Sequence, residues 1–144
     1  MKMSSAASQN DNVCVPCSGL DASALLSQDQ VDDALKSMPL WKLQEDDGVH
    51  RIARQFVTKN FQTALDAMNA FGAIAERNGH HPDLHLVNYR EVEIVLWTHK
   101  VGGLTRNDFE LAKVFDSEVE VCYSPKWLRE HPEADRNARV DSGA

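Results

Sequence analysis

The order of helical and strand patterns along the chain predicts a domain that mixes α-helices with antiparallel β-strands. Residues 61–75 carry an apolar stripe at helical spacing, which suits packing against a sheet. A pair of alternating segments joined by a turn precedes this helix, and a second pair follows it. One further helix is predicted before the first pair and another after the second.

The first half of the domain has a clear start and a clear hairpin. Ser27 is a predicted N-cap for a helix that continues to Ser37, with acidic residues in its first turn. Trp41 then begins a short strand, and we expect its ring in the core. The run Asp46-Asp47-Gly48 is a hairpin turn signal before the strand 49–57.

The second half begins with the strongest helix of the chain. Thr58 or Asn60 caps it, and Asn78-Gly79 gives the left-handed end that glycine favours. Residues 84–89 and 91–99 are predicted as paired strands, because their side chains alternate with a period of two. His99 is expected at the end of the second strand.

The last helix is predicted after a Gly102-Gly103 turn. Thr105 and Asp108 resemble a capping box, with Asp in place of the usual Glu. Its apolar stripe extends to Cys122, and Asp108 lies on the same side of the helix. An inward carboxylate at this position either caps the helix or orients a neighbouring histidine, and the two roles are compatible.

The composition predicts that the chain is divided into one folded domain and two tails. Residues 1–24 are predicted to be a disordered tail, 25–123 a folded domain, and 124–144 a mostly disordered tail in which Trp127 docks a short turn. Cys14 and Cys17 could supply half of a zinc site, a redox pair or a pair without either role. The sequence offers no second pair of cysteines or histidines at the distance from Cys17 that a zinc site of this kind needs, which favours a cysteine pair with neither a metal nor a redox role.

The composition also limits the classes of function. The chain has 144 residues and a formal net charge of −7. An acidic chain without a basic run is poorly suited to nucleic acid or to anionic membranes, so we expect neither as a partner. Three cysteines and the lack of an apolar leader favour a reducing compartment. We therefore expect the protein in the cytoplasm, with an organelle as the alternative.

Histidines concentrate in one stretch of the sequence. Four of the six, His80, His81, His85 and His99, lie between Gly79 and Lys100. Histidine titrates closest to neutral pH, so such a cluster indicates proton transfer or metal binding. His80 and His81 follow a helix C-terminus, whose partial negative charge favours a protonated imidazole. His85 lies mid-strand, where a structural role and a pocket role remain equally open.

Three segments, in this order, resemble the pterin-4a-carbinolamine dehydratase family. They are Glu76-x-x-Gly79-His80-His81-Pro82, then Val92-x-Ile94-x-Leu96-x-Thr98-His99, then Gly103-Leu104-Thr105-x-x-Asp108-x-x-Leu111-Ala112. Pro39-x-Trp41 and Phe61-x-x-Ala64 fit as well, so the resemblance covers about residues 25–122. The Cys14-Val-Pro-Cys17 leader resembles plant and bacterial members rather than animal ones. Animal members have an acidic residue where this chain has Gly79 and a different residue where it has Trp97.

The resemblance implies a fold and an activity. The fold is α+β in the order α-β-β-α-β-β-α, with a four-stranded antiparallel sheet and helices on one face, assembled as a homodimer or homotetramer. The activity is that of a 4a-hydroxytetrahydrobiopterin dehydratase, a hydro-lyase of pterin recycling. It converts 4a-hydroxytetrahydropterin into quinonoid dihydropterin and water. Both proton transfers suit histidine, and no redox step calls for a cofactor or a metal.

The resemblance also implies a site. His80, His81 and His99 are the expected catalytic residues, with His80 and His99 as the acid and base and His81 holding the substrate. Glu76, Pro82 and Asp108 are the expected supporting residues. The expected substrate contacts are Gly79, His80, His81, Trp97, Thr98, His99 and Lys100.

Two alternatives remain open at this point. The first is a non-catalytic binding, assembly or dimerisation role on the same fold. The second is a metal enzyme in which His80, His81, His85 and His99 supply ligands, together with Asp83 or Asp108.

Overall fold

A four-stranded antiparallel sheet forms the centre of the computed structural model, which describes residues 20–139. Its strands are β1 (Lys42–Asp46), β2 (Val49–Val57), β3 (Asp83–Val87) and β4 (Glu91–Leu96). They lie in the order β1-β2-β4-β3, so the two hairpins meet where β2 pairs with β4. The predicted fold class is confirmed.

Within residues 20–139, four helices accompany the sheet: α1 (Gln28–Lys36), α2 (Phe61–Asn78), α3 (Arg106–Glu118) and α4 (Pro125–Glu130). Ser27 caps α1 as predicted, and Asn60 rather than Thr58 caps α2. Short 3-10 turns occupy Ala22–Ala24 and Pro132–Asn137. Each helix within residues 20–139 is too short or too polar to cross a bilayer.

The core lies between one face of the sheet and the helices. The Phe71 ring of α2 lies 6.2 Å from Phe56 of β2 and 5.0 Å from Phe115 of α3, measured between ring centroids. Trp41 is 3% exposed, which confirms it as a core residue. Each large apolar side chain buried in this way contributes about 1.5–3 kcal/mol relative to leaving it in water. The opposite face of the sheet, which carries Arg51 and Glu93, is called the open face below.

One cation lies inside this apolar layer. Arg54 of β2 is 1% exposed and donates to Asp116 at 2.9 Å and to the Tyr123 hydroxyl at 2.6 Å. The Trp41 indole also donates to Asp116, at 3.0 Å. Burial raises the pKa of the Asp116 carboxyl, although Arg54 and Trp41 lower it. Burial likewise raises the pKa of Tyr123.

Three predicted elements end two or more residues earlier than expected, and the first of them is β3, which stops at Val87 rather than 89. β4 stops at Leu96 rather than 99, because the chain turns: the Thr98 N–H binds the Gly103 carbonyl at 2.8 Å. The last helix stops at Glu118, and the chain then runs extended to pair Tyr123 with Thr58. Cys122 is therefore off the helix and only partly buried.

The C-terminal segment differs most from the sequence-based prediction. Residues 124–139, expected to be mostly disordered, form α4 and a 3-10 turn that pack on the domain. The Trp127 ring stacks 4.9 Å from Tyr123, and Ala134 is fully buried. The apolar anchors are few and widely spaced, so periodicity did not reveal them. Residues 1–19, with Cys14 and Cys17, and residues 140–144 lie outside the described residues.

Candidate functional site

The turn after α2 separates two adjacent histidines. Gly79 adopts φ 66°, and the N–H groups of Gly79 and His80 bind the carbonyls of Glu76 and Ala75 at 3.2 and 3.3 Å. This left-handed helix end reverses the chain within one residue, as glycine allows. It directs His80 inward, where it is 4% exposed, and leaves the His81 side chain 62% exposed.

A buried carboxylate joins three segments of the chain at His80. Asp108, in the first turn of α3, lies 2.6 Å from His80 Nε2 through its Oδ1. Its Oδ2 accepts from the Thr98 hydroxyl at 2.8 Å and from the Thr105 N–H at 2.9 Å. The two threonine hydroxyls are also 2.8 Å apart. Asp108 therefore caps α3 and orients a histidine at the same time.

The Asp108 carboxylate is buried, and its hydrogen-bond partners compensate for the cost of burying it. Thr98 and Asp108 are fully buried, and Thr105 is 2% exposed. A buried carboxylate costs several kcal/mol unless charged or polar partners compensate it. Asp108 has three such partners, and contacts with charged groups are stronger than neutral ones. His80 is thus positioned twice, by the turn at Gly79 through its backbone and by Asp108 of α3 through its imidazole.

The second histidine of the pair has its own carboxylate. His81 Nε2 lies 2.8 Å from Glu76 Oε1, and the Glu76 side chain is 81% exposed. Such an exposed pair contributes little to stability, since water screens the charges. The contact places the imidazole beside the last turn of α2, with most of its surface open to solvent.

The third histidine stacks on an aromatic ring. His99 is exposed in the turn after β4, and its ring centroid lies 4.0 Å from that of Trp97 with 20° between the planes. The Trp97 indole N–H faces Asp83 at 3.4 Å, and the Arg51 guanidinium lies 4.5 Å from the ring centroid. The cation and the ring attract each other electrostatically.

Chain connectivity places the two exposed histidines beside the buried cluster. His81 directly follows His80, and His99 directly follows Thr98, while His80 and Thr98 both bind Asp108. Consecutive Cα atoms are about 3.8 Å apart, so the Cα atom of each exposed histidine lies that close to the Cα atom of a residue bound to Asp108. The result is one buried and two exposed imidazoles at one end of the sheet, a set that can give and take protons.

The remaining predicted residues surround the histidines at the surface of the protein. Gly79 and Lys100 are exposed, and Pro82 connects His81 to β3. Lys100 lies near the N-terminal turn: hydrogen bonds from Ser23 lower the pKa of the Asp21 carboxyl, and the Lys100 charge lowers it further.

Thr98 is more deeply buried than its predicted role suggests. It was expected to contact substrate, but its hydroxyl is buried and bound to Asp108. In this structure the Thr98 hydroxyl supports the Asp108 carboxylate, and its contact with substrate stays a prediction. Thr105 and Arg51 were not predicted as site residues. The capping box was the available signal for Thr105, whereas the sequence holds no local signal that pairs Arg51 with Trp97.

His85 does not join the other histidines. It is exposed on the open face of the sheet, paired across strands with Glu93, beside a cavity of about 390 Å³ that Trp127 also lines. Within residues 20–139, no three histidine, cysteine or acidic side chains converge as metal ligands would. The predicted ligand set of the metal alternative is therefore not assembled in this part of the chain.

The fold and the site together define a small α+β protein with one buried and two exposed histidines at one end of its sheet. The sequence model of the pterin 4 alpha carbinolamine dehydratase family matches residues 24–118, and the chain belongs to this family. A crystal structure described as a transcriptional coactivator/pterin dehydratase from Brucella melitensis is similar, with a TM-score of 0.57 and 31% identity. That similarity covers 65% of this chain and 96% of the other.

Relatives from a plant and a bacterium agree with this assignment. The Arabidopsis thaliana protein named pterin-4-alpha-carbinolamine dehydratase 2, mitochondrial, is 43% identical over 108 residues, which are 74% of this chain and 57% of that protein. A Chlorobaculum tepidum protein that carries the name "Putative pterin-4-alpha-carbinolamine dehydratase" is 40% identical over 99 residues. These are 69% of this chain and 86% of the relative.

Proposed function

We propose that the protein dehydrates a 4a-hydroxytetrahydropterin to the quinonoid dihydropterin, in pterin recycling. The observation that carries the proposal is the buried His80–Asp108 pair flanked by the exposed His81 and His99. The reaction needs one proton delivered to the 4a-hydroxyl, which leaves as water, and one proton removed from the neighbouring ring nitrogen. Positioned acids and bases near neutral pKa contribute typically about 10²–10⁴-fold to such steps.

The burial of His80 bears on how the three histidines share this work. The sequence-based assignment makes His80 and His99 the acid and base. His80 is only 4% exposed and holds Asp108 through Nε2, whereas His81 and His99 are open to a ligand. We propose that His81 and His99 exchange the protons with the pterin. His80, which Asp108 holds in place, would then lie beneath the two exposed histidines and keep the turn that carries His81 in its position.

The decisive experiment is turnover of freshly generated 4a-carbinolamine by the purified full chain. We expect the ultraviolet absorbance of the substrate to decay faster than in buffer at micromolar enzyme. His85→Ala is the matched control, since this exposed histidine lies off the site, and it should retain the wild-type rate. A wild-type rate equal to the buffer blank would refute the dehydratase proposal and favour the non-catalytic binding or assembly role.

Independence from metal and cofactor is part of the same proposal, because the chemistry transfers protons and no electrons. Treatment with a chelator followed by desalting should leave kcat unchanged. Loss of activity that zinc or iron restores would contradict this and promote the metal alternative.

We also propose that the protein forms a homodimer or homotetramer, as the family resemblance implies. The edge strand β3 supports this, since its last residue, Val87, is 57% exposed and Tyr89, in the turn that follows, is 54% exposed. Light scattering coupled to size-exclusion chromatography would measure the mass, and a monomer at micromolar concentration would contradict the proposal. The cytoplasmic location stays a prediction.

A further inference from the structure

The indole of Trp97 is held by contacts from two other strands. The Arg51 guanidinium of β2 lies 4.5 Å from its centroid, and Asp83 of β3 accepts a long hydrogen bond of 3.4 Å from its N–H. Arg51 is itself bound to Asp46 of β1 at 3.0 Å. The contacts therefore run from the far edge of the sheet to the site, and Trp97 is a fixed part of the open face.

The imidazole of His99 rests on this fixed ring. The two centroids are 4.0 Å apart and the planes are inclined by only 20°. His99 belongs to an exposed turn, where a side chain without contacts would sample several rotamers. Stacking restricts that sampling, because rotation about χ1 would break the contact between the rings.

We propose that Trp97 is a positioning residue that holds the His99 imidazole in the orientation needed for proton transfer, rather than a residue that contacts the substrate. The inference rests on the proposed function, since it gives His99 a part in that reaction. A general acid or base must lie within about 2.6–3.2 Å of the atom it protonates or deprotonates. A misplacement of about 1 Å can cost on the order of 10²-fold in rate.

Two substitutions separate positioning from substrate binding. Trp97→Leu removes the aromatic surface and should lower kcat about 10–10²-fold while KM changes less than about 2-fold. Trp97→Phe keeps an aromatic face and should recover most of the lost kcat. A raised KM with unchanged kcat in Trp97→Leu would place Trp97 in substrate binding and overturn the proposal.

A double-mutant cycle tests whether Trp97 acts through His99. If it does, adding Trp97→Leu to His99→Ala should lower kcat by less than about 2-fold further, because the residue to be positioned is already absent. A full additional loss in the double variant would show that Trp97 contributes independently of His99 and would overturn the proposal.

A spectroscopic measurement needs no turnover. The carbon-bound ring protons of His99 should be shifted upfield in the NMR spectrum of the wild type by the indole ring current, relative to those of His85. They should move toward the His85 values in Trp97→Leu and stay largely shifted in Trp97→Phe. Unchanged His99 shifts in a folded Trp97→Leu would overturn the stacking itself. A clear shift change in a protein without dehydratase activity would instead refute the proposed function alone.

Discussion

Asp108 is the residue on which the geometry of the site depends. Its two oxygens bind His80, Thr98 and Thr105 at 2.6, 2.8 and 2.9 Å, and none of the carboxylate is exposed. An amide at this position would present one acceptor and one donor where the site requires two acceptors. If the amide N–H₂ faces Thr98 and Thr105, it meets donors and one buried polar group loses its partner. If it faces His80, it forces Nε2 to accept and the imidazole into the other tautomer.

We therefore expect Asp108→Asn to lower both activity and stability. A lost partner for a buried polar group costs about 1–3 kcal/mol of unfolding free energy, and the misoriented His80 should lower kcat more than it raises KM. Urea unfolding and steady-state kinetics measure the two effects. Asp66→Asn is the control, because Asp66 is exposed on α2 and bound only to Gln62 in the same helix, at 2.9 Å. A fully active and stable Asp108→Asn would contradict the assignment.

The three histidines should respond differently to removal. His99→Ala and His81→Ala leave the fold intact because both side chains are exposed, and each should lower kcat about 10–10³-fold if it transfers a proton. His80→Ala should also lower the melting temperature, since it leaves the Asp108 carboxylate short of a partner. A large rise in KM with normal kcat in His81→Ala would instead return His81 to the substrate-holding role predicted from the sequence.

At the scale of elements, local signals predicted the parts of the fold that local chemistry determines. The caps of α1 and α2 and the left-handed end at Gly79 were predictable because each involves residues within a few positions. Asp108 was predictable as an inward side chain that caps α3 with Thr105 or orients a histidine. Which histidine it binds, and its contact with Thr98, were not predictable, since both residues come from other elements. The stack on Trp97 likewise depends on strand register rather than on sequence spacing.

The C-terminal segment is the element whose removal should matter most. The Asn137 amide lies 2.7 Å from the Tyr123 hydroxyl and 2.8 Å from Arg54, and Trp127 stacks on Tyr123. Ending the chain after Ser124 removes these contacts and uncovers part of the buried Arg54. We expect a loss of at least about 2 kcal/mol of unfolding free energy, from lost burial and lost hydrogen bonds.

Thermal and urea unfolding of the truncated chain would measure this loss. The matched control ends after Arg139, which keeps each of the contacts named above. Equal stability of the two truncated proteins would show that residues 125–139 do not contribute to the fold, as the sequence-based prediction of disorder had it.

At the scale of the whole molecule, the Arg54 cluster joins parts that are distant in the chain. Arg54 belongs to β2, Asp116 to α3 and Tyr123 to the extended segment after it, and the Trp41 indole binds Asp116 as well. A hydrophobic pattern could not predict it, because Arg54 occupies an inward position between Ile52 and Phe56. The charge state of Asp116, the carboxylate of this cluster, therefore affects the stability of the entire domain.

Asp116 gives that stability a definite pH dependence. Burial raises the pKa of its carboxyl above the ordinary value of about 3.9, despite the opposing effects of Arg54 and Trp41. A raised pKa means that the folded protein holds this proton more tightly than the unfolded chain does. The contribution of Asp116 to the free energy of unfolding is thus complete below about 3.9 and is lost as the pH rises through the raised pKa.

We expect Asp116→Asn to abolish this part of the pH dependence. The difference in unfolding free energy, wild type minus Asp116→Asn, should fall as the pH rises from about 3.5, and level off above the folded-state pKa. Urea unfolding of both proteins across this range measures the difference. A carbon-13 NMR titration of the Asp116 carboxyl in the native protein gives its pKa directly. A midpoint below about 3.9 would mean that the ion pair with Arg54 outweighs burial, and the difference should then rise with pH instead.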